Sequence, residues 1–140
     1  MISRTDLARI LFIFRVKLRP PCNNTPKHLN IIMIHELRIY HCAPGRLPAL
    51  HDRFQTITLK LWEKYGIRQI GFWTTLIGPS NQTLTYMLQW ESLAERETKW
   101  NAFASDPEWL IKRAQTEAVA IIVERIENQF LIPTAYSALR

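Results

Sequence analysis

Three features of the sequence predict an α+β domain of βαββαβ order, a ferredoxin-like antiparallel sheet with its helices on one face. They are a strand-like alternation near residue 34, an apolar helical stripe from residue 47, and two β-rich runs joined by a strong turn cluster. Residues Ile34 to His41 alternate, with Leu37 and Ile39 on one parity and Glu36, Arg38 and Tyr40 on the other. Ala43-Pro44-Gly45 breaks this strand, and Pro48 sits where a first helical turn tolerates it. Leu47, Leu50, Phe54, Ile57, Leu61 and Tyr65 then recur at three- and four-residue steps, and Gly66 is placed to close the helix in a left-handed cap.

The run Ile70 to Ile77 is β-branched and aromatic, stops at Gly78-Pro79-Ser80-Asn81, and resumes as Thr83 to Trp90, which predicts a hairpin. Ser92 with Glu95 forms a capping box, and Asp106-Pro107 a second helix start, so two short helices are expected at about 92–103 and 107–117. Ala118 to Arg125, with Val119, Ile121, Ile122 and Val123, reads as a buried strand reaching toward Phe130; the tail from Pro133 is irregular. Leu84, Tyr86, Leu88 and Trp90 share a face opposite Met87, and Phe72 and Leu76 alternate with Trp73 and Ile77, so both sides of the hairpin are apolar. Helices on one side leave the other bare, and a second copy meeting it across a two-fold axis is the expected cover, a homodimer.

Composition narrows the function classes. Of 140 residues, 47% are hydrophobic and 21% charged, enough apolar material for one packed core. The longest apolar run falls well short of the ~18 residues of a membrane span. The net charge of +6 is concentrated early: residues 1–32 hold six basic residues against Asp6, leaving 12 basic and 11 acidic residues after them. The domain at 33–140 is thus near neutral and lacks the basic cluster of a nucleic-acid site. Residues 1–32 read as a basic, poorly ordered extension, with translation starting at Met33. Their arginine-rich helical spacing, Leu7 to Leu18, also fits a mitochondrial transit peptide, the alternative to a cytoplasmic location. Cys22 and Cys42 are too few for a disulfide scaffold or thiolate zinc site. His35 and His41 lie six residues apart on one strand, ~20 Å, too far to share a metal, and no glycine-rich phosphate loop occurs. No metal and no cofactor are expected.

The ordered motifs Glu36-Leu37-Arg38-Ile39-Tyr40 with Pro44-Gly45, Gly71-Phe72-Trp73-Thr74-Thr75, Trp90-Glu91-Ser92-Leu93-Ala94-Glu95-Arg96, Asp106-Pro107-Glu108-Trp109, and Pro133-Thr134 with Tyr136-Ser137 resemble the NIPSNAP family across about residues 34–140. Tyr86 and Leu88 stand where members often carry His and Trp. The resemblance implies a dimeric α/β barrel, its pocket enclosed by the helix-free faces of two sheets, and an undefined biochemical activity.

Candidate ligand-binding residues follow from the chemistry. Glu36, Arg38 and Tyr40, at i, i+2 and i+4, offer a carboxylate, a guanidinium and a phenol on one strand face, or else a Glu36–Arg38 ion pair. Trp73, Thr75, Tyr86 and Trp90 add aromatic walls or packing. These residues suggest a small-molecule-binding or protein-interaction module for an apolar or aromatic ligand. The alternative is a cofactor-independent oxygenase- or isomerase-like enzyme with Glu36 as base.

Overall fold

The computed structural model describes residues 33–139, so the basic extension lies outside the described residues. Strand β1 (Ile34–Cys42) is followed by a helical rod, α1 (Leu47–Arg53), one π-turn (Phe54–Thr58) and α2 (Leu59–Tyr65). The hairpin is β2 (Arg68–Thr74) and β3 (Thr83–Trp90); helices α3 (Leu93–Ala104) and α4 (Pro107–Thr116) and strand β4 (Val123–Leu131) complete the domain. The sheet order is β2-β3-β1-β4 with every pair antiparallel, so β1 and β3 are central. This is the expected α+β, ferredoxin-like plan.

Local chemistry explains the boundaries. Pro48 opens α1, and Gly66 ends α2 at φ 63°, a left-handed turn that a glycine adopts without steric cost. The Ser92 hydroxyl accepts the Glu95 N–H at 3.1 Å, while the Glu95 carboxylate reaches one residue further than a standard capping box, to the Glu91 N–H. Asp106 caps α4 by accepting from the Glu108 and Trp109 N–H groups. It also accepts from Lys64 Nζ at 2.7 Å and the Tyr65 hydroxyl at 2.6 Å, tying the end of the rod to the start of α4.

Three details depart from the sequence reading. The rod is one continuous apolar stripe in sequence, but its middle turn is wide: the Leu59 N–H bonds the Phe54 carbonyl, five residues back, and the Thr58 hydroxyl bonds the Arg53 carbonyl. Thr58 and Trp62 are thereby buried beside Leu61. The second strand stops at Thr74, because Thr75 turns to pair its hydroxyl with that of Thr83 at 2.8 Å; Leu76 and Ile77 project from the loop at 95% and 94% exposure. The run from Ala118 is not strand until Val123. Arg46 holds the carbonyls of Thr116 and Ala120 in a loop conformation, and the Ala43 N–H takes that of Ile122, so only Ile122 of residues 118–122 is buried.

The core lies between the sheet and the helices. Residues opposite one another in an antiparallel pair share a face, so the register sets Glu36 beside Leu88 and Phe130, Arg38 beside Tyr86 and Asn128, and Tyr40 beside Leu84 and Ile126. That face is the one the helices cover. Tyr86 is fully buried there, ringed by Tyr40, Phe54, Trp62 and Phe72 at centroid separations of 5.1 to 5.6 Å. Such ring pairs contribute roughly 0.5–1.5 kcal/mol each beyond the area they bury.

Candidate binding cavity

Glu36 is the polar centre of the covered face. Its side chain is fully buried, and its carboxylate accepts from Arg38 Nη1 at 2.7 Å, Trp90 Nε1 at 2.9 Å and Asn128 Nδ2 at 2.9 Å. Arg96, projecting from α3, adds two further bonds, Nη2 to Oε1 at 3.1 Å and Nε to Oε2 at 3.2 Å. Burial alone pushes this carboxyl up, but the hydrogen bonds and charges of Arg96 and Arg38 outweigh it and hold Glu36 below the usual glutamate range. It is an ionised anchor with both oxygens engaged.

Next to this anchor, between β1, β4, the rod and helices α3 and α4, lies a cavity of about 410 Å3. Its aromatic walls are Tyr40, Phe54, Trp62, Trp100, Phe103 and Trp109; Arg38, Arg53, Arg113 and Glu117 contribute charge, and Thr58 a hydroxyl. The π-turn supplies Phe54 and Thr58, in keeping with the tendency of such turns to fall at functional sites. The Arg38 guanidinium lies over the Trp100 ring at 4.3 Å from its centroid, fixed from behind by Glu36. Arg53, held by Glu117 at 2.9 Å, sits 6.0 Å from the centre of Trp109.

The seven residues singled out in the sequence separate into four groups. Arg38 and Tyr40 line the cavity. Glu36 and Trp90 stand behind Arg38 as its anchor. Tyr86 is a core residue, and burial keeps its phenol far above the usual range, hence protonated. Trp73 and Thr75 belong elsewhere: Trp73 pairs across to Thr85 on the opposite side of the sheet, half exposed, and Thr75 closes the hairpin. This cavity lies on the helix-covered side, where Glu36, Arg38 and Tyr40 point; the pocket that the resemblance implied, between the helix-free faces of two copies, is a separate place.

The residues missed include Arg53, Phe54, Thr58, Trp62, Trp100, Phe103, Trp109, Arg113 and Glu117. One signal was available: Arg53 interrupts the apolar stripe three residues after Leu50 and one before Phe54, a charged residue on a face that must be buried. Among the described residues, no group of three His, Cys, Asp or Glu side chains is placed to hold a metal, and no helix is long and apolar enough to cross a membrane.

A four-stranded antiparallel sheet whose helical side carries an aromatic, arginine-bearing cavity defines an α+β domain of the ferredoxin-like class. The model of the NIPSNAP family matches residues 35–138, and the chain belongs to that family. Solved structures agree. A NIPSNAP-like domain protein from Burkholderia xenovorans is 26% identical, with 75% of this chain and 88% of that one covered at a TM-score of 0.64. A NIPSNAP family protein from Agrobacterium tumefaciens is 27% identical, covering 77% and 99%, at 0.69. A Streptomyces coelicolor monooxygenase in complex with the ligand nanaomycin D is 12% identical, covering 76% and 92%, at 0.54, and shares the fold. No curated protein matches the chain. The family carries no specific established activity.

Proposed function

We propose that this chain is one protomer of a cytoplasmic homodimer that binds a small, partly apolar molecule in the cavity between its sheet and helices. The observation that carries the reading is the cavity itself. Six aromatic rings line about 410 Å3, and two buried arginines are fixed in place, Arg38 from behind by Glu36 and Arg53 by Glu117 in the cavity wall. Small-molecule sites commonly combine ~300–1,000 Å3 of mostly apolar wall with a few fixed polar groups. Arg38 and Tyr40 are the predicted site residues that would meet the ligand, and Glu36 and Trp90 would orient Arg38.

Binding is favoured over the oxygenase- or isomerase-like alternative because the candidate base is spent. A general base needs an accessible lone pair and a pKa near working pH, whereas Glu36 accepts from four side chains and is held ionised. The homodimer reading draws on the helix-free face, where Leu37, Ile39 and Met87 are only half-buried and Trp73 is 51% exposed.

Native mass spectrometry of the full chain, with and without added 2-naphthoate, tests both parts. The expected result is a mass of two chains that takes up ligand, with uptake abolished by Ala104→Trp, which places an indole in the cavity. A single-chain mass overturns the dimer; uptake unaffected by Ala104→Trp overturns the site.

A further inference from the structure

We infer that the molecule taken by this cavity is a planar anion, an aromatic acid whose ring lies among the tryptophans and whose carboxylate or other acidic oxygen meets Arg38 and Arg53. The inference rests on the cavity being the binding site and adds the charge of its occupant.

The charges around the cavity do not balance. Glu36 is shared by two guanidinium groups, those of Arg38 at 2.7 Å and Arg96 at 3.1 Å. Glu117 is likewise shared, by Arg53 at 2.9 Å and Arg113 at 3.6 Å. With Glu124, which also lines the cavity, three carboxylates answer these four cations, a surplus of one positive charge. Arg96 and Arg113 reach water, which screens them, but Arg38 and Arg53 are 7% and 4% exposed. At the mouth, Glu124 is exposed, and Arg125 is paired with Glu127 at 2.7 Å. Water screens Glu124 as it screens Arg96 and Arg113, so what sets the cavity apart is its buried pair of guanidinium groups. A buried cation without its full complement of acceptors is costly, and an anion entering the cavity relieves that cost.

The atoms left without a partner in the cavity wall are of one kind. On the residues lining this cavity, the buried side-chain polar atoms that find no hydrogen bond are Arg38 Nε, Arg53 Nε and Trp62 Nε1. All three are N–H donors. These N–H dipoles sit sealed in the wall with no unpaired buried acceptor beside them among the described lining residues, so they add to a positive potential in the cavity that favours an anion.

The walls suit a flat ligand. The Arg38 guanidinium lies over the Trp100 ring at 4.3 Å from its centre, and Trp62 and Trp109 line the same cavity. A flat ligand can stack there and still present an oxygen to a guanidinium edge.

Isothermal titration of the full-length protein with 2-naphthoate and its neutral isostere 2-naphthamide tests the charge directly, with quenching of tryptophan fluorescence as a second readout. The acid should bind at least ~10-fold more tightly than the amide, as expected for charge-assisted bonds to a buried arginine. Arg53→Gln should shrink that ratio. Amide binding equal to or tighter than acid binding, lost in Ala104→Trp, overturns the anion inference and leaves the cavity reading standing. Absence of binding by both probes, or binding by both that survives Ala104→Trp, overturns the cavity reading and this inference with it.

Discussion

The two sides of strand β3 differ more than their sequence does. On the helix side, Leu84, Tyr86, Leu88 and Trp90 are no more than 1% exposed; on the other, Thr85, Met87 and Gln89 are half-buried. Charges follow the same division. On the covered side Glu36 is saturated by two arginines, an indole and an amide. On the open side, His41 meets Glu127 at 2.8 Å with Arg125 beside them, and these groups stay in contact with water. The difference teaches that helix cover turns an alternating strand into two environments, one where a lost partner is expensive and one where it is nearly free.

The largest expected effect tests the covered side. Glu36→Ala leaves Arg38 and Arg96 facing each other without a carboxylate, and breaking a buried pair in this way costs about 3–5 kcal/mol. Urea denaturation should show a greatly reduced midpoint. A loss below about 1 kcal/mol would mean that the ion network does not hold this face together. Trp90→Phe keeps most of the ring but removes the indole donor to Glu36, and a loss of roughly 1–3 kcal/mol in the same assay is expected.

Acid should act on the covered side through Asp106 and Glu36. Hydrogen bonds from Lys64 and Tyr65 hold the Asp106 carboxyl far below its ordinary range, and Arg96 and Arg38 lower that of Glu36 against the effect of burial. Near pH 4 the unfolded chain therefore binds more protons than the folded one, so stability rises with pH there. The contribution is complete above the ordinary carboxylate range and is lost as pH falls toward the depressed folded values. Melting temperatures measured from about pH 2 to 6 should fall steeply on the acid side, and Asp106→Asn should flatten that limb.

The smallest effect on folding is expected on the open side. Trp73→Lys should change unfolding free energy by no more than about 0.5 kcal/mol, yet halve the sedimenting mass of the proposed dimer. A large loss of folding stability with unchanged mass would erase the contrast between the two faces.

Much of the fold is legible before any coordinates. Period-two alternation marks β1 and β3, the three- and four-residue spacing marks the rod, and Gly66, Ser92 and Asp106 mark its end and the starts of α3 and α4. Each of these signals is local. The failures are local signals overruled at longer range: apolar Val119 and Ile121 read as strand, but Arg46, more than seventy residues away, holds the Thr116 and Ala120 carbonyls in a loop. The candidate site was legible only in part. The shared face of Glu36, Arg38 and Tyr40 follows from parity, whereas Trp62, Trp100 and Trp109 come from three different helices and converge only on packing.

Backbone geometry explains what the sequence by itself determined: which residues form strands and helices, and which side chains on each element point the same way, because periods of two and 3.6 are properties of the local chain. Only the tertiary structure decided which side of the sheet the helices cover, and hence that Glu36 is a sealed anchor, Tyr86 a core ring and Trp73 an exposed one. Parity says that two groups of residues face apart. Burial depends on what packs against each, and that is set by contacts between elements distant in sequence.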